Sequence, residues 1–143
     1  MLFALICATR SYLTKLVLGY MFGKGIYFAN VASKSANYCH FTKDSPDGVI
    51  ILCEVALGTS HRWTKANNNL TKAQVKGDTV HGVGKWTPSS LEQVKGFDGA
   101  QIPMGPLKDS GIGDSALLYD EFITYELERS RMRYIVHFKA QFK

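Results

Sequence analysis

The sequence is poor in the residues that staple a fold or ligate a metal. It holds three cysteines, Cys7, Cys39 and Cys53, an odd number with no Cys-x-x-Cys pair. A disulfide framework is therefore not expected, and a reducing cytosolic or nuclear setting is favoured. Cys39-His40 is the only adjacent pair of soft ligands, and no second pair stands at finger-like spacing, so no metal site is expected. There is no dense block of lysine or arginine. A net charge of +5, from 17 basic and 12 acidic side chains, fits a solvated surface as well as an anionic ligand, and does not indicate a nucleic-acid-binding protein. Long apolar runs are missing too. The stretch from Leu2 to Ala8 is short, and Arg10 and Lys15 interrupt the residues after it, whereas a membrane helix needs about 20 apolar residues. The same stretch lacks the preceding charge and small-x-small site of a signal peptide. It reads as a buried segment or as a start foreign to the domain. No repeat or low-complexity tract appears.

The residues present suffice for one domain: 143 in all, 45% of them apolar, with an ordinary core. Gly23-Lys24-Gly25 precedes Ile26-Tyr27-Phe28-Ala29, a short apolar and aromatic run that predicts a strand. Asn30 is placed to cap a helix from about Val31 to His40. Val49 to Leu57 is nearly all apolar, rich in β-branched residues and ended by Gly58, which predicts a central strand. From about Thr59 to Gly113, glycines, lysines and Asn67-Asn68-Asn69 predict long loops with short strands between them. Gly82-Val83-Gly84 has no strand-turn-helix context and is not read as a phosphate loop. A strand is predicted from Ala116 to Glu126. The last one alternates Met132, Tyr134, Val136, Phe138, Ala140 and Phe142 with mostly polar residues, the period of a strand with one face buried. His137 falls on its polar face. The expected class is α+β, a mixed or antiparallel sheet with few short helices.

Two constellations can carry chemistry. Glu121 sits in an apolar strand between Tyr119 and Phe122, where a carboxylate is costly to bury without partners. It is either a functional acid or a strand-edge glutamate. Asp120 points to the opposite face and Glu126 lies near the strand end. In the helix, Ser35 and Tyr38 are three apart and Lys34 and Tyr38 four apart, so they share a face. With Tyr27 nearby, the rings and hydroxyl can form a slot for a planar ring bearing an amide. A plain packing helix with tyrosines at its rim fits the same pattern.

The wording of these segments resembles a known family. Gly19 to Ala29 (GYMFGKGIYFA), Ser33 to Cys39 (SKSANYC), Glu54 to Gly58 (EVALG), Leu117 to Phe122 (LLYDEF) and Met132-Arg133-Tyr134 resemble, in order, the catalytic domain of the DNA-damage-dependent poly(ADP-ribose) polymerases. The resemblance runs from about Gly19 to Lys143. It implies an incomplete ADP-ribosyltransferase-like fold, nuclear localisation, and transfer of ADP-ribose from NAD+, the co-substrate, with no metal. It implies that Tyr27 and Tyr38 sandwich the nicotinamide ring and that Ser35 binds its carboxamide, with Gly25, Phe28 and Ala29 in the same cofactor site. Lys34 then lies near the scissile ribose and Glu121 is the catalytic carboxylate. The implied partners are acceptor proteins and growing ADP-ribose chains, the stretch from Lys76 to Lys85 shaping the acceptor side. DNA would be met only through modules outside this sequence, and no membrane is involved.

The sequence departs from that family in one place. The family's strand bearing His-Gly-Ser, which binds the adenosine ribose and the nicotinamide amide, is expected a few dozen residues before Gly19. Residues 1–18 contain no histidine and read as an apolar leader unlike the family, with 19–143 as the family-like portion. A mispredicted start, a splice product or a partial sequence would each give such a change at Gly19. The apolar leader is expected to patch the edge that the absent strand leaves.

Overall fold

The computed structural model describes residues 2–7, 20–93 and 99–142. Among the described residues, ten strands form two sheets. The larger holds β1 (Leu2–Cys7), β3 (Asp47–Val55), β6 (Gly84–Gln93), β7 (Gln101–Asp109), β8 (Leu117–Tyr119) and β10 (Ser130–Lys139), in the order β10-β3-β1-β7-β6-β8. The smaller holds β2 (Ile26–Phe28), β4 (Ser60–Trp63), β5 (Thr79–Gly82) and β9 (Glu121–Thr124), in the order β2-β9-β5-β4. Parallel and antiparallel pairs occur in both: β1 is antiparallel to β3 but parallel to β7, and β9 is antiparallel to β2 and β5 while β4 and β5 run parallel. The described α-helix is one short turn and a half, α1 (Ala32–Ala36), followed by a 3-10 turn at Asn37–Cys39. The α+β class and the mixed sheets expected from the sequence are what the chain forms.

Position in the sheets explains the composition of the strands. β3 lies between β1 and β10 and pairs with both, so its apolar run is shielded on two edges; the expected central strand is there. β9 is buried at all four residues. Successive side chains of a strand point to opposite faces, and here each face meets a core of its own. Phe122 packs with Phe28, Cys53 and Val55, whereas Ile123 packs with Phe22, Leu70, Val80 and Leu117. β9 is thus clamped between two apolar layers.

Several expectations are corrected. The helix is shorter than 31–40 and begins at Ala32, with Val31 at the N-cap offering no side-chain cap. Asn30 does not cap it, because its amide donates instead to Asp120 Oδ2 at 3.0 Å. His40, in the left-handed region at φ 51°, ends the turn. The stretch read as long loops with short strands carries, besides the short β4 and β5, a long antiparallel pair, β6 with β7. The strand read as continuous from Ala116 to Glu126 breaks at Asp120, β8 joining the larger sheet and β9 the smaller. The alternating face of β10 is not buried: Met132 is 74% exposed. β10 is an edge strand, and a bulge between Met132 and Tyr134 shifts its register. Phe138 is only partly exposed, its ring lying edge-on to Phe41 at 5.7 Å. Cys39 is disulfide-bonded, against the expectation from the odd cysteine count, while Cys53 is free and buried.

Candidate active site

The break at Asp120 puts Glu121 at the first position of β9, directly opposite Gly82 of β5. Its residue is 8% exposed. A carboxylate at such a position needs partners, and α1 supplies one. Lys34 Nζ lies 2.9 Å from Glu121 Oε1 and donates to the Tyr119 carbonyl at 2.8 Å, so a single ammonium spans both sides of the break. Burial lowers the Lys34 pKa, and the charges of Glu121 and then Asp120 act against that shift. The second oxygen, Oε2, is buried and makes no hydrogen bond among the described residues. An unmet acceptor on a buried carboxylate is costly, and a hydroxyl brought by a substrate would satisfy it.

Tyr27 stands in the middle of β2, paired with Ile123 of β9. Its hydroxyl donates to the Gly23 carbonyl at 2.7 Å and accepts the Phe22 amide at 2.9 Å, which fixes the ring to the preceding turn. Burial pushes its pKa above the ordinary tyrosine range. The Phe22 amide pulls the other way, and nearby Tyr125 and Glu121 add to the rise. The ring of Tyr20 lies 6.0 Å away, tilted. Gly25 permits this arrangement: a Cβ there would meet Ile123 Cγ2 at 2.5 Å, so β2 can approach β9 only without a side chain.

Sequence-predicted residues therefore divide in placement. Lys34 and Glu121 meet directly. Ser35 is buried beside Lys34 on α1, and Tyr38 is 44% exposed on the turn that follows. Phe28 and Ala29 are buried, Phe28 within the core that holds β9. Sequence reading missed the surroundings of Asp120. This carboxylate is 3% exposed; it accepts the Gly84 amide at 2.9 Å and the Asn30 amide at 3.0 Å, and His81 Nε2 stands 3.2 Å away. These residues are far apart in the chain, so no local pattern marks them as a group. Among the described residues, no cluster of His, Cys, Asp or Glu is arranged to hold a metal ion, and no helix is long and apolar enough to cross a membrane.

Comparison with known proteins decides what this arrangement belongs to. The family model described as the poly(ADP-ribose) polymerase catalytic domain matches residues 10–140. The chain belongs to that family. Poly [ADP-ribose] polymerase 1 of Xenopus laevis is 43% identical over 127 residues, covering 89% of this chain and 12% of that protein. Poly [ADP-ribose] polymerase 2 of Zea mays is 42% identical over 130 residues, 89% of this chain and 19% of that protein. Poly [ADP-ribose] polymerase 2 of Homo sapiens is 41% identical over 129 residues, 88% of this chain and 22% of that protein. The chain thus spans less than a quarter of the length of these relatives.

Proposed function

We propose that this chain is the C-terminal part of an NAD+-dependent poly(ADP-ribosyl)transferase, in which Glu121 is the catalytic carboxylate. The observation that carries the reading is the buried Glu121 carboxylate with Oε1 on Lys34 and Oε2 unmet. In this reading Oε2 accepts a hydrogen bond from a ribose hydroxyl of NAD+. Tyr27 and Tyr38 hold the nicotinamide ring and Ser35 its carboxamide, with Gly25, Phe28 and Ala29 shaping the same slot. Lys34 keeps the carboxylate in place and lies near the scissile ribose.

The chemistry asks little of an acid. The bond from the ribosyl carbon to nicotinamide breaks and its electron pair leaves with the ring, which departs neutral. A bond from that carbon to the acceptor oxygen forms, and the acceptor proton passes to the Glu121 carboxylate. Positive charge develops at the ribosyl carbon meanwhile, as in glycoside hydrolysis, and a fixed carboxylate nearby stabilises it. Acceptors are protein side chains and the ends of growing ADP-ribose chains. We place the family-like portion at 19–143, after a leader at 1–18, and the protein in the nucleus, with DNA engaged only by segments beyond this sequence.

A second reading is a catalytically inactive fragment that lacks tight NAD+ affinity. It rests on residues 1–18, which contain no histidine and so carry no His-Gly-Ser, the strand beside β3 reading Leu-Phe-Ala-Leu-Ile-Cys. Incubation with labelled NAD+ separates the two. Released nicotinamide and a ladder of attached ADP-ribose are expected; no nicotinamide release together with no micromolar NAD+ binding by calorimetry would favour the second.

A further inference from the structure

The three residues around the break between β8 and β9 are each held by a different part of the chain. Tyr119 and Glu121 share the ammonium of Lys34. Asp120, between them, belongs to neither strand and is tied to the opposite side. Gly84, the first residue of β6, donates its amide to Oδ1, and Asn30, at the end of β2, donates to Oδ2. His81 lies across from Phe122 in the ladder and stacks on its ring, centroids 4.6 Å apart and 21° from parallel. That stacking sets Nε2 3.2 Å from Oδ1, an ion-pair distance without hydrogen-bond alignment.

The buried Gly84 amide needs an acceptor, but a neutral one would serve it at less desolvation cost than a charge. The partners of Asp120 (Gly84, Asn30 and His81) are not those of Glu121, so apart from its charge on Lys34 it reaches Glu121 through the backbone. The approach of β6 is as close as the chain permits: a Cβ on Gly84 would stand 2.5 Å from the Asp120 amide nitrogen.

We propose that Asp120, held by Gly84, Asn30 and His81, is a positioning residue that fixes the start of β9 and thereby aims the unmet oxygen of Glu121. The proposal rests on the reading of Glu121 as the group that meets the ribose. The carboxyl is held ionised. Burial pushes its pKa up, yet close His81, the Gly84 amide, Thr87 and Asn30 together bring it down to about 2.

Two probes separate ring binding from ribose binding: nicotinamide, and nicotinamide riboside, which adds the sugar. The ratio of their dissociation constants, measured by calorimetry or NMR titration, reads the contact between Glu121 and the sugar. The whole chain is expected to favour the riboside, and Glu121→Gln to remove that preference. Asp120→Ala is expected to reduce the ratio at least threefold while nicotinamide affinity stays within about twofold, the behaviour of two residues acting as one unit. In the Glu121→Gln background the same change is expected to leave the ratio alone. An unchanged ratio in Asp120→Ala, or an equal further fall in the double variant, overturns the proposal while the role of Glu121 stands. A riboside preference that survives Glu121→Gln, or is missing from the parent chain, overturns both. Should Asp120→Ala not fold, Asn30→Ala takes its place: a ratio reduced at least twofold supports the proposal, and the parent ratio overturns it.

Discussion

Lys34 and Glu121 form a buried ion pair at 2.9 Å, their side chains 12% and 11% exposed, that joins the one described helix to the strand at the centre of the smaller sheet. The same ammonium is bonded to the Tyr119 carbonyl. The pair is therefore a joint in the fold as well as an arrangement for chemistry, and each half is expected to show both roles when altered.

Glu121→Gln keeps the shape and removes the charge. Chain elongation is expected to fall by about 100-fold or more, in line with the loss of a single fixed charge-stabilising group. Gel analysis of product length with labelled NAD+ checks this, and elongation at the parent rate would sink the role given to the carboxylate.

Lys34→Met leaves Glu121 Oε1 and the Tyr119 carbonyl without their donor. Removing one partner of a buried pair costs about 3 kcal/mol or more. We expect a lowered urea midpoint with an unchanged slope, since the surface exposed on unfolding stays the same. A midpoint within error of the parent would show that the ammonium does not hold the junction.

Acid should loosen the fold through Asp120. Its carboxyl falls from an ordinary 3.8 to about 2 in the folded chain. The unfolded chain thus binds the proton more readily. The contribution to stability is full above about pH 4 and is lost as pH falls toward 2. It amounts to about 2 kcal/mol. Thermal melts between pH 5 and pH 2, in roughly half-unit steps, should show Asp120→Asn losing less stability over that window than the parent; parallel curves would contradict the assignment.

Gly84→Ala places a methyl group 2.5 Å from the Asp120 amide nitrogen, a backbone atom that cannot rotate away. Overpacking of this kind costs about 1–3 kcal/mol. Because the strain falls on the residue next to Glu121, nicotinamide riboside binding should weaken more than nicotinamide binding. Calorimetry with both probes reads the difference.

Much of this was legible in the sequence where a local pattern coincided with a local cause. β3 announces itself because it pairs on both edges and buries Ile50 and Cys53 to Val55, and Tyr27, Lys34, Ser35 and Glu121 lie in short segments whose wording is distinctive. The rest depends on partners far along the chain. The break at Asp120 cannot be read from Ala116 to Glu126, an unbroken β-forming run, because it is imposed by the Gly84 and Asn30 amides. Asn30 looks like a cap until a buried carboxylate competes for its amide. β10 alternates as a half-buried strand does, yet it lies at an edge where the period of two only reports pleating, and Met132 and Ile135 remain exposed. β6 and β7 mix exposed apolar residues, Trp86, Leu91, Met104 and Leu107, with prolines and glycines, so no clean alternation marks them as strands.

β9 is packed against an apolar layer on either face. Segments of that kind exchange their amide hydrogens only when the whole domain opens, whereas loops and edges do so by local fluctuation. The carboxylate at its first position is accordingly mounted on the part of the protein that lets go last. Glu121 should keep its orientation through any rearrangement of the surrounding loops, and a destabilising change elsewhere in the domain should reduce the number of working molecules before it alters how each one works.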